Sequence, residues 1–453
     1  MNCNLSKATT LKKIATLLTT LALTLQTNAQ SPVLPSNTYT PTAENVKARE
    51  AFSDMKLGIF LHWGIYSMFA QGEWYLQNAD IDRLEYAKAA DGFYPHRFDA
   101  RKWVRAIKEA GARYICLTSR HHDGFSMWNT DQSEYNIVDA TPFKRDVIKE
   151  LAEACHAEGI RLHLYYSHVD WTREDYPWGR TGRKTGKDPK KQDWQSYKRF
   201  MNNQLTELLT RYGDIGAIWF DGYWDHDQDS VPFNWELREQ YDLIHRLQPA
   251  CLVGNNHHEA VKPGEDIQIF ERDLPGQNTA GFVDKAAEVS RLPLETCETM
   301  NGMWGYKVTD QNYKSAADII RLLVRTSGLG ANLLLNIGPQ PNGELPATAL
   351  DRLKEVGQWT SQYGETIYGT TAGDVTPQPW GAMTRKGSRQ FIHITSLQAQ
   401  KQPTLQVQLK QKIKSARLFG TDTKVAFKQA KDKLTTFTLP PHDSPIDLII
   451  EIE

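Results

Sequence analysis

Six apolar runs in this sequence finish on side chains that a buried strand does not ordinarily carry. KLGIFLHWG closes on His62 and Trp63, SRHHDGF holds His121, His122 and Asp123, and YYSHVDW holds Tyr165, Tyr166, His168 and Trp171. AIWFDGYW sets Trp219 and Asp221 at its end, DIQIFERD stops around Glu271, and LETCETMNGMWGY supplies Glu295, Glu298, Trp304 and Tyr306. A carboxylate that follows apolar residues in a strand costs free energy unless it is hydrogen-bonded, paired or used. Asp221 alone reads equally well as a helix cap, and Glu271 alone as an ion-pair partner of the neighbouring Arg272. Two such carboxylates among histidines and tryptophans suit another task. Cleaving a glycosidic bond takes one group to attack or activate water and a second to protonate the leaving oxygen.

His62, His121 and His122 suit contact with sugar hydroxyls, because an imidazole both donates and accepts. Core imidazoles and a divalent-metal site are the competing readings. Adjacent His121 and His122 on one strand point to opposite faces and chelate one ion poorly, so no metal is expected. Cysteine spacing of the CxxC kind is absent too.

The elements that must position these groups follow from hydrophobic period. Eight strands are predicted: Leu57–Trp63, Tyr114–Ser119, Leu162–Tyr166, Ala217–Asp221, Cys251–Asn255, Ile267–Glu271, Leu294–Thr299 and Asn332–Ile337. Helical patterns fall between several of them, at Ala100–Ala110, Arg145–Glu158, Trp194–Tyr212, Trp235–Leu247 and Ser315–Ser327, and Ala347–Tyr363 closes the series. The expected fold class is α/β: an irregular (β/α)8 TIM-like barrel, whose working residues stand at the C-terminal ends of its strands, followed by an all-β sandwich. The irregularity is local, since only about ten residues separate the fifth and sixth strands and no helix fits there. A doubly wound open sheet is the alternative, but GxGxxG is missing at the first strand–helix turn. From Gly369 onward, period-2 segments such as Gln390–Thr395, Thr404–Leu409, Ser415–Phe419, Thr435–Leu439 and Ile446–Ile452 predict the sandwich.

The 453 residues thus divide into an N-terminal signal at 1–29, a catalytic barrel at 30–368 and a sandwich at 369–453. The signal reading rests on Lys12 and Lys13, an apolar run from Ile14 to Leu25, and small residues up to Ala29. That run is too short to span a bilayer, so the protein is expected to be exported, periplasmic or secreted, without a membrane span. With 53 basic against 54 acidic residues there is no global field for nucleic acid or an anionic membrane. Aromatic residues form 10% of the chain, with 13 Trp, and indole faces suit sugars. Cys116, Cys155, Cys251 and Cys297 are scattered through apolar stretches and read as buried free thiols.

The segments MKLGIFLHWGIYS, GEWY, RHHDGFSMW, YYSHVDW, IWFDGYW, CETMNGMWGY and ANLLLNIGPQPNG occur in order between Phe52 and Tyr363. Together they resemble glycoside hydrolase family 29, the α-L-fucosidases, retaining enzymes that need no cofactor and often carry a trailing β-sandwich. The resemblance implies a fucosylated oligosaccharide or glycoconjugate as substrate, with Asp221 as nucleophile. It implies His62, Glu73, Trp74, His121, His122, Tyr166 and Trp219 as fucose contacts, with Trp304 beside the sugar methyl. The acid/base position varies in the family; Glu271 is the choice here, Glu295 the alternative and Glu298 a distant third. A sugar-binding protein without catalysis, and metal-dependent hydrolysis, are the rival functions. The sandwich is expected to brace the barrel rather than bind sugar. Linkage preference and oligomeric state are not encoded in any motif.

Overall fold

In the computed structural model, which describes residues 39–442 and 446–453, the eight apolar runs pair into one parallel sheet. Its strands are β1 (Leu57–Leu61), β2 (Tyr114–Arg120), β3 (Arg161–Ser167), β4 (Ala217–Asp221), β5 (Leu252–Asn255), β6 (Gln268–Glu271), β7 (Leu294–Thr299) and β8 (Asn332–Ile337). The hydrogen-bonded order runs β5-β4-β3-β2-β1-β8-β7-β6. Only a single parallel bridge, Gly254 to Ile267, joins the two outer strands and nearly closes the barrel. No helix lies between β5 and β6, because so short a connection cannot build a covered crossover. The signal segment assigned from sequence lies outside the described residues.

Period-2 alternation sorts the strand side chains into two cores. Phe60, Tyr114, Cys116, Tyr165, Trp219, Ile269 and Cys297 point into the barrel, while Ile59, Ile115, Leu164, Tyr166 and Phe220 pack outward under the helices. All four described cysteines are buried and unbridged.

The longer helices are α1 (Ala43–Met55), α2 (Ala100–Glu109), α3 (Val147–Glu158), α4 (Trp194–Arg211), α5 (Leu237–Leu247), α6 (Ala316–Ser327) and α7 (Ala347–Tyr363). Their starts are written in the sequence: Asp99, Asp146, Asp193 and Ser315 each accept a hydrogen bond from the amide three residues on. Helix α1 has no counterpart in the sequence reading, since only Asn45 and Phe52 of it are buried and no apolar stripe marks it. No described helix is long and apolar enough to cross a membrane.

Beyond α7 lie β9 (Thr371–Ala372), β10 (Gly381–Lys386), β11 (Arg389–Ile394), β12 (Thr404–Gln408), β13 (Ala416–Leu418), β14 (Phe427–Gln429), β15 (Leu434–Thr438) and β16 (Leu448–Ile452). They form a five-stranded antiparallel sheet, β13-β16-β11-β10-β9, and a three-stranded one, β12-β15-β14. Met383, Ile392, Leu405, Val407, Phe437 and Ile450 fill the sandwich. The opposite face of the larger sheet turns Ala382, Phe391 and Ile449 into the core that also surrounds the barrel. That approach is close: a Cβ on Gly328, just after α6, would come within 2.7 Å of the Ala382 Cβ.

Candidate active site

The C-terminal strand ends surround a cavity of about 490 Å³. Asp221, Glu271, His62, Glu73, Trp74, His121, His122, Trp219 and Trp304 all line it. Tyr166 does not. It is buried on the outer face of β3, where its hydroxyl donates to Gln204 Oε1 at 2.7 Å, and Tyr165, one residue earlier, takes the inward position. Strand alternation permits only one of the two to face the cavity.

The same alternation was expected to separate His121 from His122, but β2 ends at Arg120 and frees both. Both rings line the cavity, with centroids 4.2 Å apart, and His121 stacks on Tyr165 at 5.3 Å. Three imidazoles are thereby held neutral. Burial drives His62 down to about 3, and its Nδ1–H donates to Asn336 Oδ1 at 2.7 Å, so Nε2 is left as an acceptor. Asn336 is fixed the right way round because its amide donates to the Trp304 carbonyl at 2.7 Å. Burial also lowers His121 and His122. The Ser167 hydroxyl donates to the Val169 carbonyl, and so accepts from His122 Nδ1–H at 2.6 Å.

Asp221 closes β4 and is surrounded by donors. Its Oδ2 accepts from the Tyr165 hydroxyl at 3.0 Å, and its Oδ1 from the Gly222 amide at 2.7 Å and the Trp224 indole at 3.1 Å. His122 Nε2 stands 3.6 Å from Oδ2. The Asn256 amide nitrogen sits 3.4 Å from Asp221 Oδ1 and 2.8 Å from Glu271 Oε2, so one NH2 group spans both carboxylates. Burial and then the charge of Asp221 push Glu271 up to about 7.

The other glutamates are occupied elsewhere. Glu295 is also pushed up to about 7 by burial, but it lies inside the barrel below the cavity. It accepts from the Tyr114 hydroxyl at 2.8 Å and from the Trp219 indole at 2.9 Å. Glu298 accepts from the Thr299 amide at 2.7 Å and does not line the cavity.

Indole rings complete the walls. Trp74 stacks on Trp224 at 5.4 Å, and Trp219 on Tyr165 at 5.6 Å. Trp304 packs against His62 at 5.1 Å. Glu73 accepts from the Gly305 amide at 2.7 Å, tying the β1 and β7 loops together beside Trp304. Among the described residues no group of three or more His, Cys, Asp or Glu is arranged to hold a metal ion.

Sequence reasoning missed Asn256, His258, Arg272 and Phe282 as lining groups, and Phe60, Arg180 and Trp224 with them. The polar run NNHH immediately after the fifth apolar stretch was the available signal for the first two. Phe282 and Arg180 sit in long connections without a periodic pattern, and nothing in their neighbourhood marks them.

Residues 26–365 match the family model of the α-L-fucosidases. An α-L-fucosidase of Dictyostelium discoideum is 30% identical over 372 residues, spanning 75% of this chain and 76% of that protein. The tissue α-L-fucosidase of Rattus norvegicus is 31% identical over 400 residues, covering 81% and 79%. Among solved structures, α-L-fucosidase isoenzyme 1 from Paenibacillus thiaminolyticus superposes with a TM-score of 0.78 at 31% identity, over 90% of this chain and 99% of that one. The Thermotoga maritima α-fucosidase, solved in complex with fucose, superposes with a TM-score of 0.72 at 26% identity, over 92% and 100%. The chain therefore belongs to the α-L-fucosidases of glycoside hydrolase family 29.

Proposed function

We propose that this chain is an exo-acting, retaining hydrolase of terminal α-L-fucosyl linkages, with Asp221 as nucleophile and Glu271 as acid/base. The observation that carries the reading is the Asn256 amide shared between the two carboxylates. It holds their oxygens no farther apart than two hydrogen bonds laid end to end, in keeping with the ~5–5.5 Å spacing of retaining enzymes. Tyr165, Gly222 and Trp224 aim three donors at Asp221, which suits an ionised carboxylate waiting to attack. Glu271, raised to about 7, keeps a proton to give.

In the first step Asp221 attacks the anomeric carbon while Glu271 passes its proton to the leaving oxygen. A covalent fucosyl ester forms and the aglycone departs as an alcohol. In the second step Glu271, now a carboxylate, takes a proton from water. That water opens the ester at the anomeric carbon, which returns Asp221 to its ionised form and the sugar to its starting configuration. Neutral His62 and His121 offer ring nitrogens to sugar hydroxyls, and the Trp219 and Phe60 floor suits a chain-terminal sugar. Glu295 fits a structural role, since both its oxygens already accept from buried donors.

Proton NMR of early product from an aryl α-L-fucoside should show the α anomer of free fucose first. The β anomer first would sink the retaining reading. Asp221→Ala should lose roughly a thousandfold or more in kcat on the same substrate. A variant turning over at the parental rate would remove Asp221 from the role.

The same proposal includes export by cleavage after Ala29, with the catalytic region ending near 368. Amino-terminal sequencing of the mature protein checks the first point, with a start at Gln30 expected.

A further inference from the structure

From the catalytic carboxylates a path of contacts leads outward to a side chain that the chemistry so far has not used. Asn256 is 2% exposed and the Glu271 side chain 15%. His258 Nε2 stands 3.6 Å from Glu271 Oε2 with its side chain 12% exposed. Phe282, stacked on His258 with centroids 4.8 Å apart and planes 21° from parallel, is 46% exposed. Nearly half of the ring therefore stays open to solvent at the cavity mouth, where a ligand could cover it.

The segment nevertheless presents this ring firmly. Asp273 Oδ1 accepts from the Thr279 amide at 2.8 Å, and Asn278 Nδ2 donates to the Val283 carbonyl at 2.6 Å, pinning the loop on both sides of Phe282. His258 and Arg272 flank Glu271 with φ of 60° and 55°, a left-handed backbone that residues bearing a side chain adopt only when their surroundings impose it. Arg272 lies with its guanidinium 5.3 Å from the Trp304 ring and donates to the Gly302 carbonyl at 2.8 Å. Among the described residues no carboxylate comes within ion-pair distance of it, which leaves further N–H groups on the cavity wall.

A general acid delivers its proton to the leaving oxygen, so the groups just outside it meet the leaving group. Resting on the reading of Glu271 as that acid, we propose that Phe282, stacked on His258, is the platform of a leaving-group subsite. It takes the apolar face of a neutral pyranose, a hexose or N-acetylhexosamine, while Arg272 donates to that sugar's hydroxyls. The enzyme would then favour fucosyl oligosaccharides over fucosides with small leaving groups.

The test compares kcat/KM for a fucosyl disaccharide with kcat/KM for α-L-fucosyl fluoride, which carries no sugar aglycone. A set of disaccharides differing in linkage supplies the best substrate. The ratio of the two constants is the readout, because partial misfolding cancels in it. Phe282→Leu, which keeps apolar bulk without an aromatic face, should lower the ratio about fivefold, the factor that roughly 1 kcal/mol of stacking supplies. Phe282→Ala should lower it at least as far, and Phe282→Trp should hold it near the parental value. An unchanged ratio in the Leu variant, or a Trp variant that falls with it, overturns the proposal even if the Ala variant does not fold. So does a parent enzyme that cleaves the fluoride and no disaccharide. A parent inactive on the fluoride as well contradicts the fucosidase reading instead. If Glu271→Gln is no worse on poor leaving groups than on activated ones, the acid assignment fails separately.

Discussion

Burial and the neighbouring Asp221 carboxylate raise Glu271 to about 7, and a general acid works only while protonated. The rate on substrates with poor leaving groups should therefore fall as pH rises through about 7. Glu271→Gln should lose roughly a hundredfold or more in kcat on such substrates and should also lose that alkaline limb. An activated aryl fucoside should keep its first step but stall at the fucosyl ester, and azide, which needs no base, should restore turnover on it. A Gln variant retaining the parental pH profile would move the proton to another group. Both carboxylates were legible in the sequence because each ends an apolar run, where a charge is costly. Their relation was not. Asn256, which spans them, is a neutral amide in a polar run, and only the fold brings its nitrogen between the two acids.

Strand alternation is the rule that both made and corrected the site. Trp219 and Asp221 are two residues apart on β4 and share the inner face, while Tyr165 and Tyr166 are adjacent and divide between the faces. The YYS motif alone does not say which tyrosine is inward; the register of β3 against β4, pairing Tyr165 with Trp219, does. The His pair escaped the rule because β2 ends one residue before it. The sixth strand shows a different limit. A connection too short for a helix was visible in the sequence, but the reduction of the β5–β6 seam to one bridge was not. Glu295 on β7 is fully buried inside the barrel. Burial raises it from 4.5 to about 7, so the folded state binds a proton that the unfolded chain has released at neutral pH. The stability this contributes is present below about 4.5 and is lost as pH rises towards about 7, amounting to up to about 3 kcal/mol. Glu295→Gln, which cannot ionise, should flatten that part of the denaturation midpoint plotted against pH. It should cost less than about tenfold in kcat/KM, far less than Glu271→Gln. A Glu295 variant as inactive as the Glu271 one would reverse the two roles.

The molecule as a whole joins barrel and sandwich through shared apolar packing. Phe391 of β11 is fully buried in the core that surrounds the barrel, edge-on to Phe419 at 5.6 Å, and Phe419 in turn meets Tyr363 of α7 at 6.4 Å. Phe391→Ala should lower unfolding free energy by about 3 kcal/mol while kcat of the folded fraction stays at the parental value. A change of substrate preference with no loss of stability would instead make the sandwich a recognition module. The period-2 texture after Gly369 made the sandwich legible. The β10 to β11 hairpin was only half read, because GAMTRK alternates weakly and β10 is covered by the end of α6, far earlier in the chain. A retaining mechanism passes through one covalent adduct on the intact chain. Incubation with 2-deoxy-2-fluoro-α-L-fucosyl fluoride, followed by intact-mass and peptide mass spectrometry, reads out that adduct and its position. A single fluorofucosyl label is expected on the peptide containing Asp221, absent in Asp221→Ala. A label on Glu271, Glu295 or any other residue, or steady turnover of the reagent without any adduct, would remove Asp221 as the nucleophile.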